Sequence, residues 1–370
     1  MAVAVYRRQN GVDASSDRLS IPNDYASWAI NRSFRGSVNQ TRPPFIAYKN
    51  IFESEEDELR IRKGNISGMI GYNSIGGLAQ TSIVIAVGDS IYKARVFGRS
   101  LEWKLLYRGI SPQYQMSHFC QAENLLIWQN GIDLPLYWDG ISSTMQYCKD
   151  APGISAPMPV GNIMVYAHGR IFVALESNIV QVSKHVYGLG LAAAPYGVLD
   201  FGESQYWSDG DGFGAIASLG QITGMGVIKR SPEANGHGPV IVFQQRGAFA
   251  IDPSIPRPDW ISSPSVQQIA ITGRGCSSPY SVIGVNGDIW FRCTDKTIAS
   301  FKNEASRQES WTDTSLSKEV HPWTDLDSQE TLRFSFASNT DNRLLMSVGS
   351  RTQRSEDGLG YHRFCLGLVS

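Results

Sequence analysis

Val282-Ile283-Gly284-Val285-Asn286-Gly287-Asp288-Ile289-Trp290-Phe291 places two short apolar runs on either side of an Asn-Gly pair. Asn and Gly tolerate positive φ at both central positions of a two-residue turn, and such a turn has the twist of the strands it joins. The stretch therefore predicts a tight β-hairpin. Similar events recur from residue 80 onward: Ile83 to Val87 with Gly88 before Ile91 and Tyr92, and Leu125 to Trp128 with Gly131 before Leu134 to Trp138. Two more are Ile163 to Ala167 with Gly169 before Ile171 to Ala174, and Val240 to Phe243 with Gly247 before Phe249 to Ile251.

Glycines 88, 131, 169, 247 and 287 of these units follow one another in steps of 43, 38, 78 and 40 residues. The step of 78 is close to two of the others, and the missing turn is expected at Asp209-Gly210-Asp211-Gly212. A period of about 40 to 45 residues with four short strands per unit is the spacing of propeller blades. The expected fold is all-β, a β-propeller of about six or seven blades over residues 46–370. Residues 1–45, polar and interrupted by Arg42-Pro43-Pro44, are expected to form an extended N-terminal arm, because prolines lack amide donors and are confined to sheet edges. The acidic run Glu53 to Glu58 reads as a solvated loop or short helix. After Phe301 the pattern loosens through Lys302 to Ser317 and resumes at Arg333 to Phe336 and Arg343 to Val348. The apolar run Phe364 to Val369 ends the sequence with no turn behind it, which suggests continuation in a larger protein.

Composition agrees with this class. Hydrophobic residues make up 42% and charged residues 18%, and Gly 36 with Pro 17 supplies many turns. A net charge of -1 gives no overall attraction for nucleic acid or anionic membrane. No segment approaches the roughly 18 apolar residues of a membrane helix, and Met1 to Asn10 lacks the apolar core of a secretory signal. The five cysteines, Cys120, Cys148, Cys276, Cys293 and Cys365, never form a Cys-x-x-Cys pair and read as reduced core residues.

Motifs for chemistry are weak. Gly188-Leu189-Gly190-Leu191-Ala192-Ala193 has the form of a dinucleotide fingerprint, but Pro195 and Gly197 would end the helix it needs within a turn or two. The six histidines show no metal-ligand spacing, and Asp209 with Asp211 lacks the distal glutamate of a calcium loop. There is no Gly-x-Ser-x-Gly. Asp139, Glu203, Asp209, Asp252 and Asp288 lie in turn regions, where Asp commonly caps the turn with its own side chain. Neither catalytic residues nor a cofactor or metal is expected.

Several stretches resemble virion proteins of tailed bacteriophages, of the kind that form the tail hub or nozzle below the portal. They are Gly36 with Thr41-Arg42-Pro43-Pro44, Trp138-Asp139-Gly140, Gly169 to Ala174, Gly220 to Thr223, Val285 to Arg292, Ile298 to Phe301, Trp311, Ser315 to Val320 and Asp341 to Leu345. The resemblance implies a non-catalytic structural protein of the virion tail, assembled as a ring of copies, a homo-hexamer, around the channel for genomic DNA. It also implies neighbouring portal, adaptor and tail proteins as partners, and no membrane span. In that setting the arm is expected to dock on a neighbour through Arg32, Arg35 and Arg42 as forked donors and Phe34 and Phe45 as apolar anchors. The alternative is a carbohydrate-binding or carbohydrate-cleaving propeller, with Trp128, Trp138, Trp207 and Trp290 serving either core or sugar.

Overall fold

The computed structural model describes residues 47–74, 81–111, 116–175, 178–187, 189–190, 195–202, 220–229, 238–253, 267–310, 321–340, 343–354 and 360–369, with short pieces at 11–12, 21, 25–26, 32–35 and 38–41. The chain divides into two compact units, one of Ile46–Gln221 with Asp252–Gln267, the other of Met1–Phe45, Ile222–Ile251 and Gln268–Ser370. The expected class holds: the protein is all-β, with the successive meander sheets of a β-propeller. Six sheets of three to five strands follow one another along the described chain, with two short two-stranded pairs before them.

Three sheets belong to the first unit. The first runs, in spatial order, Lys49–Ile51, Ser100–Arg108, Ser90–Phe97, Thr81–Val87 and Ile66–Asn73. Four of these strands form an antiparallel meander, while Lys49–Ile51 is added in parallel at the edge, Lys49 opposite Ser100. The second sheet is His118–Ala122, Leu125–Gln129, Leu136–Trp138 and Gln146–Tyr147; the third is Ile163–Ala167, Arg170–Ala174 and Val180–Val182. The other unit carries the fourth sheet (Ile222–Val227, Val240–Gln244, Gly247–Ile251, Gln267–Thr272), the fifth (Ile283–Val285, Asp288–Arg292, Ile298–Ser300) and the sixth (Ala337–Thr340, Arg343–Arg354, Gly360–Val369).

The hairpins read from sequence are present. Val285 pairs with Asp288 across Asn286 (φ 52°) and Gly287 (φ 72°), and Ala167 pairs with Arg170 across His168 (φ 50°) and Gly169 (φ 69°). Val87 pairs with Ser90 across Gly88 (φ 57°) and Asp89. Two turns differ from the expectation. Gln244 pairs with Gly247, so Gln245-Arg246 is the turn and Gly247 opens the returning strand. In the second sheet the tight turn is Glu123-Asn124, whereas Gly131 sits in the longer connection to Leu136–Trp138. The turn expected at Asp209 to Gly212 lies outside the described residues.

Within each unit neighbouring sheets pack face to face. In Leu125–Gln129 every residue is buried, and alternation divides them between two interfaces. Leu126 and Trp128 join Val84, Ala86 and Leu106 of the first sheet, while Leu125 and Ile127 join Ile171 and Val173 of the third. Ile241 and Phe243 of the fourth sheet meet Ile289, Phe291 and Ala299 of the fifth. Val285 and Ile298 of the fifth meet Leu344 and Met346 of the sixth.

Two stretches depart from the sequence reading. Part of the polar segment after Phe301 is a helix, Phe301–Ser310. Its first turn is capped locally and held from a distance: Ser300 Oγ accepts the Asn303 N–H (3.3 Å), Asp288 Oδ1 accepts the Lys302 N–H (3.1 Å), and Phe301 is buried against the fourth and fifth sheets. The N-terminal segment is not wholly irregular, for Arg32–Arg35 pairs antiparallel with Val38–Thr41, and Gly11–Val12 pairs with Tyr25–Ala26.

The Asn286-Gly287 turn gives a paired test. An alanine Cβ at Gly287 would find nothing nearer than 3.5 Å, so its cost is conformational, whereas Gly284 has ordinary φ and open space. Gly287→Ala is expected to lower unfolding free energy by ~1 kcal/mol and Gly284→Ala to leave it unchanged or slightly raised, read from urea denaturation midpoints.

Candidate interaction surface

The helix Glu55–Lys63 covers one face of the first sheet. Ser54 caps it, its Oγ accepting the Asp57 N–H (3.1 Å). Four acidic residues in the first turn and Arg60, Arg62 and Lys63 in the last complement the helix dipole. Ile61 packs on Ile85, Val87 and Tyr92, so the helix covers strand residues that alternate with those buried toward the second sheet.

A charged network ties helix to sheet. Arg60 Nη1 donates to Asp89 Oδ1 (2.6 Å), while its Nη2 and Nε donate to Glu56 Oε1 (3.0 and 3.1 Å). Arg108 reaches Glu56 and Asp57 at 3.4 and 3.3 Å, and the Tyr92 hydroxyl donates to Asp57 (2.9 Å). Burial works to raise the Asp89 carboxyl, but the Ser90 hydroxyl and the Arg60 guanidinium outweigh it and hold it below its ordinary value. Single exposed ion pairs contribute little. Here several share partners and link the helix to the sheet.

Beside the network lies exposed apolar surface. Tyr48, Ile51 and Leu59 are 43%, 42% and 52% exposed, and Phe52 stacks on Trp103, whose indole N–H donates to Asn50 Oδ1 (2.9 Å). Lys49–Ile51 is an edge strand with all three residues exposed. An open edge flanked by apolar groups can pair with another chain.

Three of the five residues expected at the interface fall within the described structure. Arg32, Phe34 and Arg35 lie on the strand Arg32–Arg35, opposite Thr41, Asn39 and Val38. Arg42 and Phe45 fall outside the described residues. Of the turn carboxylates, Asp139 accepts the Ile141 and Ser142 N–H groups (2.9 and 2.7 Å), and Asp288 accepts from Ile289, Ser300 and Lys302. Both cap turns. Glu203 and Asp209 are outside the described residues. Trp128 and Trp138 are core residues, Trp290 is half-buried, and Trp207 is outside the described residues. Leu189 and Gly190 of the glycine-rich motif sit in a turn closed by the Gly190 N–H on the Tyr187 carbonyl (2.9 Å). Among the described residues no three His, Cys, Asp or Glu gather as metal ligands, and no helix is long and apolar enough to cross a membrane.

Two polar centres escaped the sequence reading because their partners are distant in the chain. Asp200, fully buried, accepts N–H bonds from Ser155, Ala156 and Gly202 (2.9 to 3.0 Å) and an ion pair from Lys184 Nζ (3.1 Å). Arg292, fully buried in the fifth sheet, donates to Asp327 and to the Thr324 carbonyl (2.9 Å). Burial lowers the Arg292 guanidinium against the raising pull of Asp327.

No family model matches the sequence, and no curated protein matches it. Among solved structures, the chain is similar to BBS1N in complex with ARL6DN at 11% identity and a TM-score of 0.37, over 69% of this chain and 65% of that one. It spans less than two thirds of that chain. YCF48 bound to D1 peptide matches at 12% identity and a TM-score of 0.36, over 78% of this chain and 76% of that one. The WD40 beta propeller domain of Doa1 matches at 10% and 0.33, over 64% and 79%. These likenesses are loose, and the fold is read from the chain's own sheets.

Asp200 gives a pH prediction. Burial alone would raise its carboxyl, but the three backbone donors and Lys184 bring it below the ordinary 3.8. A lowered folded pKa gives stability that is fully present above the unfolded value and lost as pH falls through the folded one. Wild type should therefore lose stability below about pH 3.8 more steeply than Asp200→Asn. At pH 7 the variant should be less stable by about 1–3 kcal/mol, checked by urea melts from pH 2 to 7.

Proposed function

We propose that this chain is a non-catalytic structural protein of a tailed-bacteriophage virion, a propeller-bearing part of the tail hub or nozzle whose copies surround the DNA channel. The observation that carries the non-catalytic half is the use of its turn carboxylates and tryptophans. Asp139 and Asp288 are occupied as turn caps, and Trp128 and Trp138 are consumed by the core. A glycan-cleaving site would need paired carboxylates free to meet substrate on either side of a bond. The virion half rests on the sequence resemblance, and the exposed edge Lys49–Ile51 with its apolar neighbours suits a protein that works by contact. The arm, residues 1–45, precedes that edge strand in sequence and would clamp a neighbouring copy with Arg32, Phe34, Arg35, Arg42 and Phe45.

The test is assembly. The purified full chain should form closed rings in negative-stain electron microscopy and native mass spectrometry, with six copies as the expected number. Removing residues 1–45 should reduce the rings to monomers while the β-rich far-ultraviolet circular dichroism is retained. Intact rings after the deletion would refute the clamp. A chain that stays monomeric and releases reducing ends from bacterial surface polysaccharides would overturn the structural reading in favour of a glycan-cleaving propeller.

A further inference from the structure

Cys276 and Cys293 stand directly opposite each other in an antiparallel bridge between the segment that follows the fourth sheet's last strand and the segment that follows Asp288–Arg292. The bridging bonds run from the Ser277 N–H to the Arg292 carbonyl (2.9 Å) and from the Thr294 N–H to the Gly275 carbonyl (3.2 Å). They bracket the two cysteines, which makes them a non-hydrogen-bonded pair. In such a pair the Cα atoms approach to about 4.5 Å and the side chains stand on one face, within the roughly 4.4–6.8 Å that a disulfide spans. Both belong to the same apolar cluster with Ile241, Phe243, Ile289 and Phe291, and both are unoxidised. The Cys276 N–H is anchored on the Gln244 carbonyl of the fourth sheet (3.0 Å), and the Cys293 N–H on the Thr297 carbonyl (2.9 Å).

We propose that Cys276 and Cys293 are a cross-strand dithiol that closes to a disulfide in an oxidising medium and ties the fourth sheet to the fifth. The oxidant is a small-molecule disulfide. One cysteine thiolate attacks a sulfur of that molecule, forming a mixed disulfide and releasing one small thiolate. The other cysteine thiolate then attacks the first cysteine's Sγ, forming the Sγ–Sγ bond and releasing the second small thiolate. The two cysteine protons pass to the released thiolates, and the small disulfide takes up the two electrons.

The surroundings fix when this happens. Both thiols are fully buried, and burial pushes Cys276 up to about 11 and Cys293 higher still. The thiolate is the nucleophile, so the closed core is inert. Exchange runs while the sheet is open, during folding or a local opening, and repacking then shields the bond. Cys120 and Cys148 are buried in the first unit and face no cysteine across a strand pair.

The full chain, refolded from urea in a buffer of oxidised and reduced glutathione, tests the idea, with a parallel sample of native chain held for days in oxidised glutathione. After alkylation, trypsin cuts behind Arg274, Arg292 and Lys296, so the bond appears as peptide 275–292 joined to peptide 293–296. Refolding should give this species as the main product and the native sample should acquire it slowly. The oxidised chain should melt higher by on the order of 5 °C, a gain removed by reductant. Cys276→Ser and Cys293→Ser should each abolish the species, and Cys120→Ser should not. If a serine variant fails to fold, the wild-type peptide map decides alone. Recovery of both cysteines as separate alkylated peptides after both treatments, or their linkage to Cys120, Cys148 or Cys365, would overturn the proposal.

Discussion

The fold rests on burying both faces of each central strand. An antiparallel sheet with one wet face alternates apolar and polar residues, whereas a sheet covered on both faces reads as a continuous apolar run. Leu125 to Trp128 and Val240 to Phe243 are such runs, and all eight residues are buried. Each of these side chains is worth about 1.5–3 kcal/mol when removed from water, so a sheet whose neighbour is missing loses most of its stabilisation on that side. Within each unit, sheets must therefore stack. The helix Glu55–Lys63 obeys the same constraint from outside, because the Ile85 and Val87 face of the first sheet needs a cover and Ile61 supplies part of it.

That constraint also decides where polar chemistry resides. With much of the strand interior given to packing, carboxylates in turns and in the segments between sheets satisfy backbone groups that the ladders leave open. Asp139, Asp288 and Asp200 each accept two or more N–H bonds within such connections. A carboxylate so engaged has few lone pairs left for a substrate. The Lys49–Ile51 edge and the exposed apolar groups beside it are suited to contact with another chain.

The hairpins were legible because a two-residue turn is a local event: Asn286-Gly287 states its geometry within four residues. Gly247 misled because a glycine near a turn is not always in it, and Gln245-Arg246 carries no local mark. The helix Phe301–Ser310 was hidden for a different reason. Its N-cap, Ser300, is at the same time the last residue of the strand Ile298–Ser300, and the second hold on its first turn, Asp288, lies across the hairpin. Asp200 and the Cys276–Cys293 pair are non-local in the same sense. The cysteines are seventeen positions apart in sequence and adjacent only through the bridge. The interface reading rests on composition, and the described structure places only Arg32, Phe34 and Arg35 of its five residues on a strand.

The Arg292–Asp327 pair shows how a non-local polar contact can shape a β core without strengthening it. Both side chains are essentially excluded from water, and Arg292 Nε and Nη1 find no partner among the described residues. Desolvating two charges costs several kcal/mol per ion, which their attraction offsets only when every donor is satisfied. With two guanidinium nitrogens unpaired, net stability is a poor explanation for the pair. Geometry is a better one. Arg292 holds Asp327 and the Thr324 carbonyl together, fixing the segment around His321–Thr324 and Gln329–Leu332 against the fifth sheet. Both contacts are made by Nη2 alone, so one buried nitrogen has to meet the Thr324 carbonyl and the Asp327 carboxylate together, a directional demand that an apolar contact would not make. The pair thus specifies how the connection between the fifth and sixth sheets lies, at a cost borne by the apolar contacts on either side of it.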